Sequence, residues 1–81
     1  MRKVTIRHER MPGIGELFEL PLSSGGVITV VSQRSGRRDI TARSDAPEEA
    51  AVTISLTRAE ATALAALLVG AHIELTTNQG D

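Results

Sequence analysis

Arginine is the residue type in this sequence that is best suited to binding a charged partner. Five charged residues gather in the middle of the chain: Arg34, Arg37, Arg38, Asp39 and Arg43. Guanidinium groups match the geometry of carboxylates and phosphates, so Arg37 and Arg38 could bind an acidic group of another protein. A small DNA-binding β-ribbon would use a similar density of arginine to contact phosphates. A solvated strand face protected by charge against edge-to-edge association gives the same pattern, and the residues leave all three interpretations open.

Residues that could perform catalysis or bind a metal are sparse. The chain contains no cysteine, which excludes thiolate ligands and thiol nucleophiles. Its two histidines, His8 and His72, lie far apart and lack the short spacings of metal sites. No nucleophile stands beside a local base, and no pair of carboxylates is isolated in apolar sequence. We therefore expect no catalytic residue, no metal site and no cofactor, and a protein that is not an enzyme.

The glycines near the N-terminus indicate a turn. Pro12 and Gly13 combine the most restricted backbone with the most permissive one, and Gly15 follows closely. A phosphate-binding loop would lead directly into a helix, whereas the residues after Gly15 alternate as a strand does. We expect Pro12, Gly13 and Gly15 to shape the backbone and to bind no nucleotide.

The bulk composition is that of one small soluble domain. Its 81 residues are 41% hydrophobic but only 1% aromatic, so the core must be built from aliphatic side chains. A net charge of −1 gives no general attraction to nucleic acid or anionic lipid. No apolar run approaches the ~18 residues that a membrane-spanning helix needs, and the first residues lack the apolar core of a signal peptide. These features predict a cytoplasmic protein without membrane insertion.

Alternation of apolar and polar residues predicts about five strands. We expect them at residues 3–9, 16–22, 27–32, 37–43 and 51–56. The segment Val27–Ser32 is apolar on both faces and should lie in the middle of the sheet, whereas the polar outer face of the first strand indicates an edge. His8 shares a face with Val4 and Ile6, which predicts a hydrogen-bonded histidine at the edge of the core. Glycine-containing turns between the strands predict hairpins.

One helix follows the last strand. Thr57 and Glu60 have the spacing of a capping box, and Gly70 is placed to end the helix in a left-handed backbone conformation. From Ala61 to Ala71 no side chain is charged, although a surface helix usually carries a charged outer stripe. Either the alanine side chains, as neutral helix formers, face solvent without charged neighbours, or a second helix face contacts another subunit or domain. That face would consist of Ala63, Ala66 and Val69. The expected fold is therefore α+β: a small antiparallel sheet of about five strands in hairpin order, with one C-terminal helix packed on it.

Several short motifs occur in one order along the chain. They are Pro12-Gly13-Ile14-Gly15, Phe18-Glu19-Leu20, Ser32 to Ile40 with its Gly-Arg-Arg-Asp core, and Ile54-Ser55-Leu56-Thr57 followed by Glu60-Ala61. In this order the chain resembles the N-terminal domain of KhtT-like regulatory subunits of bacterial cation/proton antiporters. The resemblance assigns residues 1–71 to this antiporter-regulatory type of domain and leaves residues 72–81 as a short strand or tail.

The resemblance also implies a function. It predicts a homodimeric, non-enzymatic module that docks on a membrane antiporter from the cytoplasm, at the inner face of the membrane, and controls potassium or other cation transport. The residues expected to contact the partner are Arg34, Arg37, Arg38 and Asp39. Members of the family usually continue into a second domain that binds a regulatory nucleotide, so nucleotide binding is assigned to no position here. Two alternatives are a small β-ribbon DNA-binding transcriptional regulator and a structural dimerisation domain without a ligand.

Overall fold

The computed structural model describes residues 4–46 and 48–70, which form five strands and one helix. In chain order these are β1 (Arg7–Met11), β2 (Gly15–Pro21), β3 (Val27–Gln33), β4 (Arg38–Arg43), β5 (Val52–Leu56) and α1 (Arg58–Val69). The strands form one antiparallel sheet in the order β1-β2-β3-β4-β5. This confirms the predicted α+β fold, with five strands in hairpin order and a C-terminal helix. Within the described residues, no helix is long and apolar enough to cross a membrane.

The strand bounds differ from the sequence prediction chiefly in β1. As predicted, β3 is the central strand and β1 lies at an edge. However, β1 begins at Arg7 instead of Lys3. Arg7 pairs with Glu19, and continuing that register would place Thr5 opposite Pro21. Proline has no N–H to donate to a ladder, so pairing stops before this position. The short strand predicted at 72–76 lies outside the described residues.

The register separates the side chains of the sheet onto two faces. One face, called the apolar face below, carries Phe18, Leu20, Ile28, Val30, Ile40, Val52, Ile54 and Leu56. The other face, called the polar face, carries Arg7, Glu19, Thr29, Asp39, Thr41, Thr53 and Ser55, together with Leu17 and Val31. His8 lies on the apolar face, where its ring stacks on Phe18 with centroids 4.8 Å apart. Its Nε2 lies 2.5 Å from the Glu16 carboxylate, so the ring is hydrogen-bonded at the edge of this face.

Helix α1 has the ends that its sequence predicts. The Glu60 N–H donates to the Thr57 hydroxyl at 3.1 Å, and the Thr57 N–H donates to the Glu60 carboxylate at 2.9 Å. Gly70 ends the helix with a φ of 74°. The helix contacts β5, but its last turn stays uncovered: Leu68 and Val69 are 76% and 78% exposed. The packing of the helix on the sheet is therefore less extensive than the sequence suggests.

The core on the apolar face is only half covered. Among the described residues, no hydrophobic side chain is fully buried. The central strand β3 is of intermediate exposure throughout, whereas four of the five residues of β5 are exposed. Val52 and Ile54 are 63% and 48% exposed. A chain of this length buries only about 60–65% of its unfolded surface in any case, and here the uncovered part is concentrated on β5 and α1.

Candidate partner-binding surface

One end of the sheet, called the turn end below, carries both of the turns that the sequence singles out. Because the strands alternate in direction, the β1–β2 turn (residues 12–14), the β3–β4 turn (residues 34–36) and the start of α1 all lie at this end. The two turns are joined directly, since the Arg34 N–H donates to the Ile14 carbonyl at 3.0 Å. Residues about 20 positions apart in sequence thus form one surface.

The β1–β2 turn has the geometry of a type II turn. The Ile14 N–H donates to the Met11 carbonyl at 3.0 Å, with Pro12 and Gly13 between them. Proline is favoured at the first central position, and the φ of 82° at Gly13 is the value that the second position requires. At Gly15 the chain passes so close to β3 that a Cβ would overlap the carbonyl oxygen of Ser32. These residues therefore fix how closely the two turns approach each other.

Asp39 is held between three strands on the polar face. Its carboxylate accepts hydrogen bonds from the Ser55 hydroxyl at 2.6 Å, from the Gln33 amide at 2.6 Å and from Arg37 Nε at 3.0 Å. The hydrogen bond from Ser55, followed by that from Arg37, holds the pKa of Asp39 below its usual range. The side chain is 21% exposed. Asp39 is therefore a charged anchor for its neighbours, and most of its surface is unavailable to a partner.

The other predicted contact residues divide by orientation. Arg37 is positioned by Asp39 and by the Ser55 hydroxyl, to which it donates at 2.9 Å, yet its side chain remains 57% exposed. Arg38 turns back on its own hairpin, where it donates to the carbonyls of Gly36 at 2.9 Å and of Arg37 at 3.3 Å. The guanidinium of Arg37 is therefore fixed by hydrogen bonds and exposed to solvent, whereas Arg38 stabilises the turn.

Arg34 is the most available of the predicted contact residues. It is exposed, and among the described residues its side chain has no hydrogen-bond or ion-pair partner. With Arg10 and Glu16 it lines a groove of about 310 Å³ between the two turns. Residues of the Pro-Gly turn and of β3 complete the lining, so the groove carries two guanidinium groups and one carboxylate.

Sequence reasoning missed Arg58, which joins this surface from the helix. Its guanidinium nitrogens lie 3.4 Å from the position that a Cβ on Gly36 would occupy. Together with Ser35, Arg37, Ser55 and Glu60 it lines a second groove of about 520 Å³. The alternation of strand directions could have revealed this, because it places the start of α1 beside the β3–β4 turn. Arg10, Arg34, Arg37 and Arg58 are called the arginine cluster below.

The residues predicted for an oligomer or domain contact lie elsewhere. Ala63, Ala66 and Val69 belong to α1, and Val69 is 78% exposed. They form no part of either groove at the turn end. Within residues 4–46 and 48–70, no three His, Asp or Glu side chains lie close enough to hold a metal ion. The two grooves at the turn end are lined by guanidinium groups, which can recognise a charged partner.

Comparison with known proteins gives two matches. The family described as the K(+)/H(+) antiporter subunit KhtT, N-terminal domain, matches residues 4–80. A curated relative from Bacillus subtilis (strain 168), the K(+)/H(+) antiporter subunit KhtT, is 37% identical over 68 residues. That alignment covers 83% of this chain but only 41% of the relative. The chain thus spans less than half the length of the relative that it matches.

Proposed function

The chain belongs to the family of the KhtT N-terminal domain, and on that premise we propose that it is a non-enzymatic regulatory module that binds a membrane cation/proton antiporter. In this proposal it acts in the cytoplasm, at the inner face of the membrane, and controls the transport of potassium or another cation. It does so through protein contacts and as a homodimer. Support comes from the relative, which is by name an antiporter subunit.

The observation that carries the proposal concerns Arg37, whose guanidinium is fixed by hydrogen bonds and yet is exposed to solvent. Asp39 and Ser55 fix its guanidinium before any partner arrives. A side chain already fixed in one orientation loses less conformational entropy on binding, and a guanidinium suits bidentate recognition of a carboxylate. Arg58 lines the same groove as Arg37, and Arg34 and Arg10 line the other groove at the turn end. We propose that this arginine cluster contacts an acidic segment of the antiporter.

The remaining predicted residues have supporting roles in this proposal. Arg38 and Asp39 keep the β3–β4 turn and Arg37 in place. Pro12, Gly13 and Gly15 set the shape of the groove beside Arg34. Ala63, Ala66 and Val69 provide a second contact, with another subunit or domain. The DNA-binding alternative has less support, because Arg38 is turned inward and the net charge is −1.

A charge reversal at Arg34 tests the proposal. The probe is a bacterial cation/proton antiporter, purified in detergent and immobilised for interferometry with the 81-residue chain. Arg34→Glu should raise the dissociation constant by about tenfold, because a charge at the edge of an interface becomes repulsive. The matched control is Arg43→Glu, which makes the same change in net charge at the opposite end of β4.

Three results would bear on this proposal. Wild-type binding that weakens as salt increases is expected for exposed charges. Failure of the folded wild-type chain to bind would contradict antiporter binding altogether. Equal losses for Arg34→Glu and Arg43→Glu would contradict the assignment of the contact to the arginine cluster, since general charge would then explain the effect. Far-ultraviolet circular dichroism checks that each variant is folded.

A further inference from the structure

The two edges of the sheet differ in how they are protected. On β1 the residues Arg7, His8, Glu9 and Arg10 are charged or titratable, and Arg7 forms ion pairs with Glu9 and Glu19. The opposite edge strand, Val52–Leu56, contains no charged residue and no proline. Charged residues and prolines are the usual means by which edge strands avoid pairing with other chains. The sequence of β5 lacks this protection, no strand within residues 4–46 and 48–70 pairs with its outer edge, and its residues 52–55 are exposed.

The hydrogen-bond pattern shows which backbone groups of β5 face outward. At the start of the β3–β4 hairpin, the Gln33 N–H donates to the Arg37 carbonyl at 2.9 Å. Hydrogen-bonded and non-hydrogen-bonded pairs alternate along an antiparallel ladder. Ile40 therefore directs its N–H and C=O towards β5, and its partner Ile54 directs its own towards β4. The backbone groups of Thr53 and Ser55 consequently point away from the sheet.

We propose that this edge pairs with the same edge of a second copy of the chain, antiparallel and centred on Ile54. In this register Thr53 exchanges backbone hydrogen bonds with the partner's Ser55. Ile54 lies opposite the partner's Ile54, and Val52 lies opposite the partner's Leu56. The two apolar faces then become continuous, and all the paired side chains on that face are aliphatic. The proposal names the surface of the proposed homodimer and is independent of antiporter binding.

A second copy suits this edge because the strand is complementary to itself. Reversing Val-Thr-Ile-Ser-Leu about its central residue matches aliphatic with aliphatic and hydroxyl with hydroxyl. Pairing would also continue an apolar surface that is exposed in the single chain, since Val52 and Ile54 are 63% and 48% exposed.

Cross-linking through a single introduced cysteine tests the pairing directly, because the chain has no cysteine of its own. In a pair without backbone hydrogen bonds the Cα atoms are about 4.5 Å apart, which is within disulfide range. Ile54→Cys should therefore form a disulfide-linked dimer on mild oxidation. Leu68→Cys is the control, since Leu68 is more exposed but lies on α1. Equal or preferential cross-linking through Leu68→Cys would overturn the proposal.

Sedimentation velocity over a range of concentrations provides an independent measurement. Ile54→Lys places two like charges opposite each other and should raise the dimer dissociation constant by at least about tenfold. Thr53→Pro removes the outward N–H together with the hydroxyl contact to Thr41 and should have a similar effect, with the circular dichroism spectrum retained; Thr53→Ala, which loses the hydroxyl but keeps the N–H, is its control and should leave the constant nearly unchanged. Leu68→Lys should leave the constant within about twofold. A wild-type chain that is monomeric throughout would refute both the pairing and the homodimer, whereas a dimer disrupted only by Leu68→Lys would refute the pairing alone.

Discussion

Replacing Gly15 by alanine should destabilise the sheet far more than the same change at Gly13. Gly15 has a φ of 153°, and an added Cβ would overlap the Ser32 carbonyl oxygen on β3. Gly13 has a φ of 82°, but nothing lies within 4 Å of the position of its Cβ. The two substitutions therefore share a backbone penalty, and only one of them adds a collision with a neighbouring strand.

The magnitudes follow from these two contributions. Alanine at a backbone conformation that favours glycine costs about 1–2 kcal/mol, which is the whole effect expected for Gly13→Ala. At Gly15 the strands must also separate, with the loss of one or two hydrogen bonds at about 1 kcal/mol each. The total of about 2–4 kcal/mol is a large part of the roughly 4–12 kcal/mol expected for the unfolding free energy of 81 residues.

Urea unfolding followed by far-ultraviolet circular dichroism is the suitable assay, because the chain has no tryptophan or tyrosine for fluorescence. With a urea dependence of about 1 kcal/mol per molar, Gly15→Ala should lower the midpoint by about 2 M or more. Gly13→Ala should lower it by about 1–2 M. Equal midpoints for the two variants would show that the close approach to Ser32 does not determine the residue at position 15.

Two further predictions concern the polar face and the helix start. Asp39 has a lowered pKa when folded, so it should stabilise the fold above its unfolded pKa, and this stability should be lost as pH falls through the folded pKa. Asp39→Asn should therefore lower the urea midpoint at pH 7, and this deficit should shrink as pH falls through the folded pKa of Asp39. A deficit that stays the same at every pH would contradict the role of the carboxylate charge. Thr57→Ala should lower the unfolding free energy by about 1 kcal/mol because it leaves the Glu60 N–H uncapped. Thr62→Ala loses only a hydrogen bond to the Arg58 carbonyl within the helix, so it should be nearly neutral in the same assay.

Structural features that depend on residues close together in the chain could be predicted from the sequence. The apolar run of β3 indicated the centre of the sheet, and the spacing of Thr57 and Glu60 indicated the start of α1. The start of β1 could not be predicted locally, because it depends on Pro21, a residue that lies opposite only after β1 and β2 have paired. The sequence indicated where the chain reverses direction. It contained no direct signal for which residues of two strands would lie opposite each other.

The candidate site was less predictable than the fold. Four neighbouring charged residues looked equivalent in sequence, yet in the structure Asp39 is enclosed, Arg38 turns inward, and Arg34 and Arg37 face solvent. The difference arises because successive side chains of β4 point to opposite faces of the sheet, and because carbonyl groups of the turn accept hydrogen bonds from Arg38. Arg58 was missed because its proximity to Gly36 depends on the direction of β5. Orientation at a site follows from tertiary packing, which residue type does not encode.

The order of strands in the sheet has a consequence for folding kinetics. Each strand pairs with the strand that precedes or follows it in the chain, so most pairing contacts join residues that are close in sequence. Chains with such low contact order lose little loop-closure entropy before pairing begins, and they fold quickly for their size. The sheet can therefore grow hairpin by hairpin from its N-terminal side during synthesis, and the unprotected edge of β5 appears only when the other four strands are available.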